Sequence, residues 1–245
     1  MNKQTIASLI DHTLLLPTAG IRDIVRLCAE AARYRFASVC VNPRYVPIAR
    51  MELADSGVKV CTVVGFPLGE SSSKAKAFEA ECAVLDGADE IDMVMDIGAA
   101  LDSRYNNVET DILEVVQACR KTGEKIGKNI LVKVILETCF LDDAAVTTAS
   151  LCALRAGADF VKTSTGFASP KGVDGNLLPN GASVHHVKLM REAVKDKCGV
   201  KASGGIRSAR AALSLIQAGA NRIGTSSGVQ IVESWDESIK VSGWD

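Results

Sequence analysis

The sequence predicts an α/β protein: a (β/α)8 TIM barrel, a single domain over residues 1–245, with a short N-terminal helix. Three observations carry this. Eight short apolar, strand-like runs alternate with helical patterns, as a parallel sheet covered by helices requires. A phrase recurs as Gly87-Ala88-Asp89-Glu90-Ile91-Asp92, Gly157-Ala158-Asp159-Phe160-Val161-Lys162 and Gly219-Ala220-Asn221-Arg222-Ile223-Gly224, each time closing a helical pattern and opening a strand. No GxGxxG follows the first strand, which disfavours an open dinucleotide-binding sheet.

The elements follow in order. Met1-Asn2-Lys3-Gln4 opens an amphipathic stretch without an apolar signal segment. Strands are expected at about 8–12, 37–42, 58–64, 90–96, 130–137, 159–163, 199–203 and 221–225. Helices are expected near 21–34, 44–55, 72–86, 107–125, 142–156, 183–197 and 208–218. Each glycine of the recurring phrase ends a helix in the left-handed conformation and feeds the next strand. Gly57-Val58-Lys59-Val60 and Gly199-Val200-Lys201-Ala202 fill the same role. Asp142 and Asp143 suit a helix start, as Ser208 does. The stretch from Ala168 to Gly181 holds Pro170, Gly172, Gly175 and Pro179 and reads as a lid or an insertion.

Composition narrows the function classes. A net charge of −1 gives no electrostatic case for nucleic acid or an anionic membrane as partner, and 4% aromatics argues against base-stacking platforms. Nowhere do 18 apolar residues run together. The eight cysteines lie mostly inside apolar patterns with no CxxC, so they read as reduced core thiols in a cytoplasmic protein rather than as disulfides or metal ligands. No feature calls for a cofactor or a metal.

Strand parity brings the chemistry together, because side chains alternate between the two faces of a strand. With Ile91, Met93 and Met95 toward the helices, Asp92, Val94 and Asp96 face the barrel axis. With Val132, Val134 and Leu136 outward, Lys133 faces inward. Val161 and Thr163 flank an inward Lys162, and Val200 and Ala202 an inward Lys201. Three lysines and at least one aspartate are thus expected in one barrel mouth, where barrels carry their reactive groups. Two ammonium groups ~6 Å apart at an effective dielectric of ~20 repel by about 2.8 kcal/mol, so one lysine of such a pair can be neutral near pH 7 and attack a carbonyl. Parity does not say which one.

A second feature is an anion cradle. Ser203-Gly204-Gly205-Ile206-Arg207 follows the seventh strand and Gly224-Thr225-Ser226-Ser227-Gly228 the eighth, the two positions where barrels commonly bind phosphate. Lysines plus cradle imply a phosphorylated carbonyl compound.

From about Ile10 to Gly228 the chain resembles the 2-deoxyribose-5-phosphate aldolase family of class I aldolases. The matching stretches are Ile10-Asp11-His12-Thr13-Leu14-Leu15, Val64-Gly65-Phe66-Pro67-Leu68-Gly69, Asp89-Glu90-Ile91-Asp92-Met93-Val94, Val132-Lys133-Val134-Ile135-Leu136-Glu137-Thr138, Val161-Lys162-Thr163-Ser164-Thr165-Gly166-Phe167, Lys201-Ala202-Ser203-Gly204-Gly205-Ile206-Arg207 and Ile223-Gly224-Thr225-Ser226-Ser227. The resemblance implies reversible cleavage of 2-deoxy-D-ribose 5-phosphate to D-glyceraldehyde 3-phosphate and acetaldehyde. It implies Lys162 as the Schiff-base lysine, Lys201 as a retained positive charge beside it and Asp92 as a proton relay. Gly166, Gly204, Gly205, Ser226 and Ser227 match phosphate-binding positions, and Asp11, Lys133 and Thr165 would line the site. A homodimer is compatible with the family.

Leu16, Asp96, His185-His186 and the long 169–181 segment depart from the family pattern, and no role transfers to the tail, 242–245. His12 reads as a hydrogen-bonded strand residue, His185 and His186 as a solvated helix start, and Cys40 as a buried spectator near the mouth. The rival readings are another Schiff-base barrel sugar-phosphate aldolase, or a non-catalytic barrel binding a phosphate ligand or pyridoxal phosphate.

Overall fold

The computed structural model describes residues 1–236, so the tail with Trp244 lies outside the described residues. Eight parallel strands close into a barrel in chain order: β1 (Ile10–Leu14), β2 (Ser38–Val41), β3 (Lys59–Val64), β4 (Glu90–Val94), β5 (Leu131–Ile135), β6 (Phe160–Lys162), β7 (Gly199–Ser203) and β8 (Arg222–Thr225), with β8 pairing back onto β1. The helices are α1 (Lys3–Ala7), α2 (Ile21–Tyr34), α3 (Val46–Glu52), α4 (Ser73–Leu85), α5 (Ile97–Leu101), α6 (Tyr105–Lys125), α7 (Asp143–Arg155), α8 (Val184–Val194), α9 (Ala209–Gln217) and α10 (Gly228–Glu233). The short N-terminal helix is α1, begun by Asn2, whose side chain accepts from the Thr5 amide.

The strands lie where the apolar runs placed them. Their outward residues, among them Val39, Val60, Ile91, Met93, Val132, Val134, Val161, Val200 and Ile223, pack with the inner helix faces as one buried cluster. In α2 the buried positions are Ile24, Leu27, Cys28 and Ala31, the spacing of one helix face, and each large side chain there contributes about 1.5–3 kcal/mol by burial. Gly87, Gly157 and Gly219 all have positive φ (114°, 83° and 114°), as their helix-ending role requires. Gly199 plays a different part from the one expected. It opens β7, and a Cβ there would sit 2.4 Å from the Phe160 ring, so it supplies space rather than a turn.

Three local differences bear on the site. β4 ends at Val94, so Asp96 does not face the axis. It caps the unanticipated helix α5 by accepting from the Ala99 amide at 2.7 Å, which removes it from the lumen set. The 183–197 helix breaks into α8 and a 3-10 turn, Lys195–Lys197. The 168–181 stretch folds back on itself: Lys171 and Leu177 form an antiparallel bridge, and the Leu178 amide donates to Pro170 O at 2.8 Å. Its base is tied to the turn after β7 by the Ala182 amide, which donates to Gly204 O at 3.0 Å. No helix among the described residues is long and apolar enough to cross a membrane.

Candidate active site

The inward faces of the strands build a charged column along the axis. At its lower end β8 and β1 place Arg222 against Asp11, and Arg222 also reaches Glu90 Oε2 at 3.0 Å. Asp11 also accepts from Ser38 Oγ at 2.8 Å. Above this sits Asp92, fully buried, on which three lysines converge. Lys133 Nζ donates to Oδ1 at 2.7 Å, while Lys162 and Lys201 donate to Oδ2 at 2.7 and 2.6 Å. The barrel register explains this meeting, because Asp92 is level with Lys133, and Lys162 with Lys201.

The three lysines are not equivalent. Lys133 also pairs with Glu90 at 2.6 Å, and Lys201 with Asp11 at 2.6 Å, so each is held by two carboxylates. Among the described residues Lys162 has one within ion-pair distance, Asp92. Its side chain keeps 4% exposure toward the mouth, against 0% for Lys133 and 1% for Lys201. Lys133 is the register partner of Phe160, two residues before Lys162, so it lies nearer the floor than the mouth where parity had placed all three.

Charge accounts for the protonation states. Burial works to raise the Asp92 carboxyl, but Lys133, Lys162 and Lys201 outweigh it and hold it well below the usual carboxylate range. Asp11 is likewise lowered against its burial, by Lys201 and Arg222. Burial alone would push the Lys201 ammonium down, yet Asp11 and Asp92 prevail and raise it, so Lys201 stays cationic. Asp11, Glu90 and Asp92 face Lys133, Lys162, Lys201 and Arg222, one cation more than the anions balance.

The mouth is assembled by turns stitched to one another. After β6, Thr163 Oγ1 donates to Ser203 O and accepts from the Ser203 amide, both at 3.0 Å, and Ser203 Oγ donates to Ser164 O at 2.6 Å. After β8, Thr225 Oγ1 donates to Ile206 O at 2.6 Å and accepts from the Ser227 amide at 2.9 Å. Three turns are thereby fixed together, presenting Gly166, Gly204 and Gly205 with positive φ (83°, 93° and 76°) beside the exposed Ser226 and the half-buried Ser227 that begins α10. Gly204 is also needed for space: a Cβ would lie 2.9 Å from Gly181 Cα.

Four residues escaped the sequence reading. Glu90 and Arg222 hold the floor; each shares the inward parity of Asp92 or Gly224 but lies at a strand's first residue. Cys61 donates to Asp92 Oδ1 at 3.2 Å. Glu137, beyond the end of β5 in the left-handed conformation (φ 54°), buries its carboxylate against the Thr165 amide at 3.2 Å and the Thr165 hydroxyl. Thr165 in turn accepts from the Phe167 amide, and Phe167 meets Phe66 edge-on across the mouth at 5.3 Å. His12 points away from the lumen, bonded to Glu30 at 2.7 Å and set against Phe36. His185 is paired with Asp143 at 2.8 Å, more than the plain solvation expected of it. Cys40 is buried beside Cys61.

Comparison with known proteins agrees with this geometry. Residues 5–234 match the profile described as DeoC/LacD family aldolase. The deoxyribose-phosphate aldolase of Thermoanaerobacter sp. (strain X514) is 51% identical over 97% of this chain and 99% of its own. That of Thermococcus kodakarensis is 50% identical over 95% and 98%. The crystallised deoxyribose phosphate aldolase of Aeropyrum pernix, described as tetrameric, superposes with a TM-score of 0.83 at 35% identity, covering 95% of this chain and 92% of that one. A charged barrel lumen under a glycine-lined mouth, with these relatives over nearly the whole length, leads to one assignment: the chain belongs to the DeoC/LacD family of aldolases.

Proposed function

We propose that this protein is a class I aldolase that reversibly cleaves 2-deoxy-D-ribose 5-phosphate to D-glyceraldehyde 3-phosphate and acetaldehyde through a Schiff base on Lys162. The observation that carries the residue assignment is the inequality of the lysines. Among the described residues Lys162 alone of the three has a single carboxylate partner and a side chain that reaches the mouth. A nucleophile must touch substrate, and an amine with fewer anchors loses least on changing partner.

The steps follow from the groups present. The Lys162 amine adds to the C1 aldehyde, and loss of water gives the protonated imine, whose charge faces Asp92. The C3 hydroxyl gives up its proton through water to the Asp92 relay as the C2–C3 bond breaks. The electron pair of that bond moves into the C1–C2 enamine, and C3 leaves as the aldehyde of glyceraldehyde 3-phosphate. The enamine then takes a proton at C2, with the Lys201 ammonium and Asp92 as the donor and relay. Hydrolysis of the imine releases acetaldehyde. Gly166, Gly204, Gly205, Ser226 and Ser227 would hold the phosphate, Thr165 the sugar, and Asp11 and Lys133 would orient Lys201 and Asp92.

The same reading makes 1–245 one aldolase domain acting in the cytoplasm. It includes a homodimer, supported by the exposed Phe78 and Leu85 on α4 and checked by sedimentation of the full chain. The test of the chemistry is borohydride reduction in the presence of acetaldehyde, which should add the mass of one reduced two-carbon imine to the peptide bearing Lys162. Labelling elsewhere, or undiminished activity in Lys162→Leu, sinks the assignment.

A further inference from the structure

Outside the barrel lumen, one ion pair among the described residues has both side chains buried: Lys76 on α4 and Asp111 on α6, 2.8 Å apart and 0% and 3% exposed. The chemistry proposed above makes no use of it. A buried pair also adds little stability, because apolar residues of similar volume serve as well or better. Its placement gives it another role.

The Lys76 side chain runs against the turn that follows β3. A Cβ on Gly65, whose φ is 61°, would lie 3.0 Å from Lys76 Cε and 3.1 Å from Cδ. The Gly65 amide donates to Glu79 Oε2 at 2.8 Å, and Gly65 O accepts from the Gly69 amide at 2.8 Å. Asp111 reaches the turn that follows β4. Its Oδ2 accepts from the Asp96 amide at 3.1 Å as well as from Lys76 Nζ. The two turns press on each other, since a Cβ on Gly69 would collide with Met95 O. One ammonium and one carboxylate oxygen thus clamp the turns after β3 and β4 against α4 and α6.

Phe66 stands on the clamped turn. It packs on Leu15, Cys40, Cys61 and Val63, and it meets Phe167 edge-on at 5.3 Å. Phe167 follows Gly166 and donates its amide to Thr165, the two residues assigned above to the phosphate and the sugar. We infer that Lys76 and Asp111 are positioning residues for substrate binding: their ion pair sets the turn after β3 so that Phe66 braces the Thr165–Phe167 turn. The consequence for substrate rests on the aldolase reading above; the clamp itself does not.

The experiment compares the wild type with Lys76→Met, Asp111→Asn and the double variant. It uses calorimetry, acetaldehyde release from 2-deoxyribose 5-phosphate, and amide hydrogen exchange of the 65–69 segment in the unliganded full chain. Each single variant leaves a buried charge uncompensated and should lose roughly 6–20 °C of melting temperature. The double variant buries neither charge, and Asn keeps an acceptor for the Asp96 amide, so it should melt within about 5 °C of the wild type. With stability restored, KM should still be about tenfold higher, the worth of one edge-on aromatic contact, and kcat should stay within about twofold. Exchange at the Gly65 and Gly69 amides should be about tenfold faster in the released turn. In a Phe66→Ala background the double substitution should raise KM no further, because the pair acts through that ring.

Wild-type KM in the stable double variant overturns the inference and leaves the pair structural. A loss confined to kcat overturns it too, as does a KM increase that persists in full without Phe66. If the double variant does not fold, Asp111→Asn alone carries the same cycle. A wild type that releases no acetaldehyde overturns the aldolase reading instead; hydrogen exchange then still tests the clamp, and unchanged exchange in the 65–69 segment overturns it.

Discussion

Lys162 and Lys201 donate to the same oxygen, Asp92 Oδ2, at 2.7 and 2.6 Å. One carboxylate charge cannot offset two ammonium charges. Lys201 has Asp11 as a second anion, whereas Lys162 has no other carboxylate within ion-pair distance among the described residues. The shared oxygen gives the two amines different tasks: one is fixed as a cation and the other is available to a carbonyl.

Asp92→Asn should remove the centre of this arrangement. Three lysines would lose a buried carboxylate, and breaking a buried ion pair from one side costs about 3–5 kcal/mol. In a chain of this size that lowers the melting temperature by roughly 6–20 °C. Turnover should fall about 10²–10⁴-fold with the proton relay gone. Calorimetry and an acetaldehyde-release assay check both; a variant with wild-type Tm and kcat would refute the central role of Asp92.

Acid stability carries the same signature. Asp11 and Asp92 lie below their usual 3.8 in the folded protein, so below that pH the unfolded chain binds more protons. Their contribution is full above about pH 3.8 and is lost as pH falls through the lower folded-state values. Urea midpoints should be lower at pH 3 than at pH 5, and Asp92→Asn should reduce that slope. An unchanged slope in the variant would mean that Asp92 does not carry the acid sensitivity.

Lys201→Leu separates catalysis from folding. Asp11 keeps Arg222 and Ser38, and Asp92 keeps Lys133 and Lys162, so the melting temperature should drop less than in Asp92→Asn. Turnover should fall about 10²–10⁴-fold, with borohydride labelling retained at Lys162. Loss of labelling together with loss of fold would make Lys201 structural.

The barrel and its charged lumen were legible because both are written in periodicities. The recurring helix-ending glycine phrase and strict strand alternation located Asp92, Lys133, Lys162 and Lys201 without any contact information. Parity fails where a strand stops. Asp96 had the right phase, but β4 ends at Val94 and the chain turns into α5, so its side chain became a helix cap. Parity also carries no height along the axis, which is why Lys133 was expected in the mouth and lies nearer the floor. Glu137 was invisible for another reason. It lies past the strand in a left-handed conformation, and its partner Thr165 is 28 residues away on the next unit.

Glu137 yields a prediction with two readouts. Its carboxylate holds the Thr165–Phe167 turn from inside the mouth, so Glu137→Ala should raise KM for the phosphorylated substrate about tenfold, the effect of one lost buried hydrogen bond to a charged group. Glu137→Gln keeps an acceptor and should recover most of that loss. Burial raises this carboxyl above its usual 4.5, only partly offset by its bonds to Thr165. Folding therefore gains from the acid form below pH 4.5 and loses that gain as pH rises through the folded value. Glu137→Gln should accordingly be more stable relative to wild type at pH 8 than at pH 4. Equal differences at the two pH values would contradict the buried-carboxylate account.

Gly204→Ala tests the cradle without touching the lysines. The position has φ 93°, a conformation costing a non-glycine residue about 1–3 kcal/mol, and the added Cβ would press on Gly181 Cα at 2.9 Å and Ser164 Cβ at 3.4 Å. Relief must come from moving the turn after β7 or the 168–181 stretch docked on it through Ala182. Either movement separates Gly204 and Gly205 from Gly166 and Ser226. KM for 2-deoxyribose 5-phosphate should rise about tenfold or more, matching ~1.4 kcal/mol of lost phosphate binding. Turnover of unphosphorylated 2-deoxyribose should stay within about twofold, since a substrate without phosphate gains nothing from the cradle. Equal losses on the two substrates would place the damage at Lys162 or Lys201 instead, and would remove Gly204 from the phosphate site.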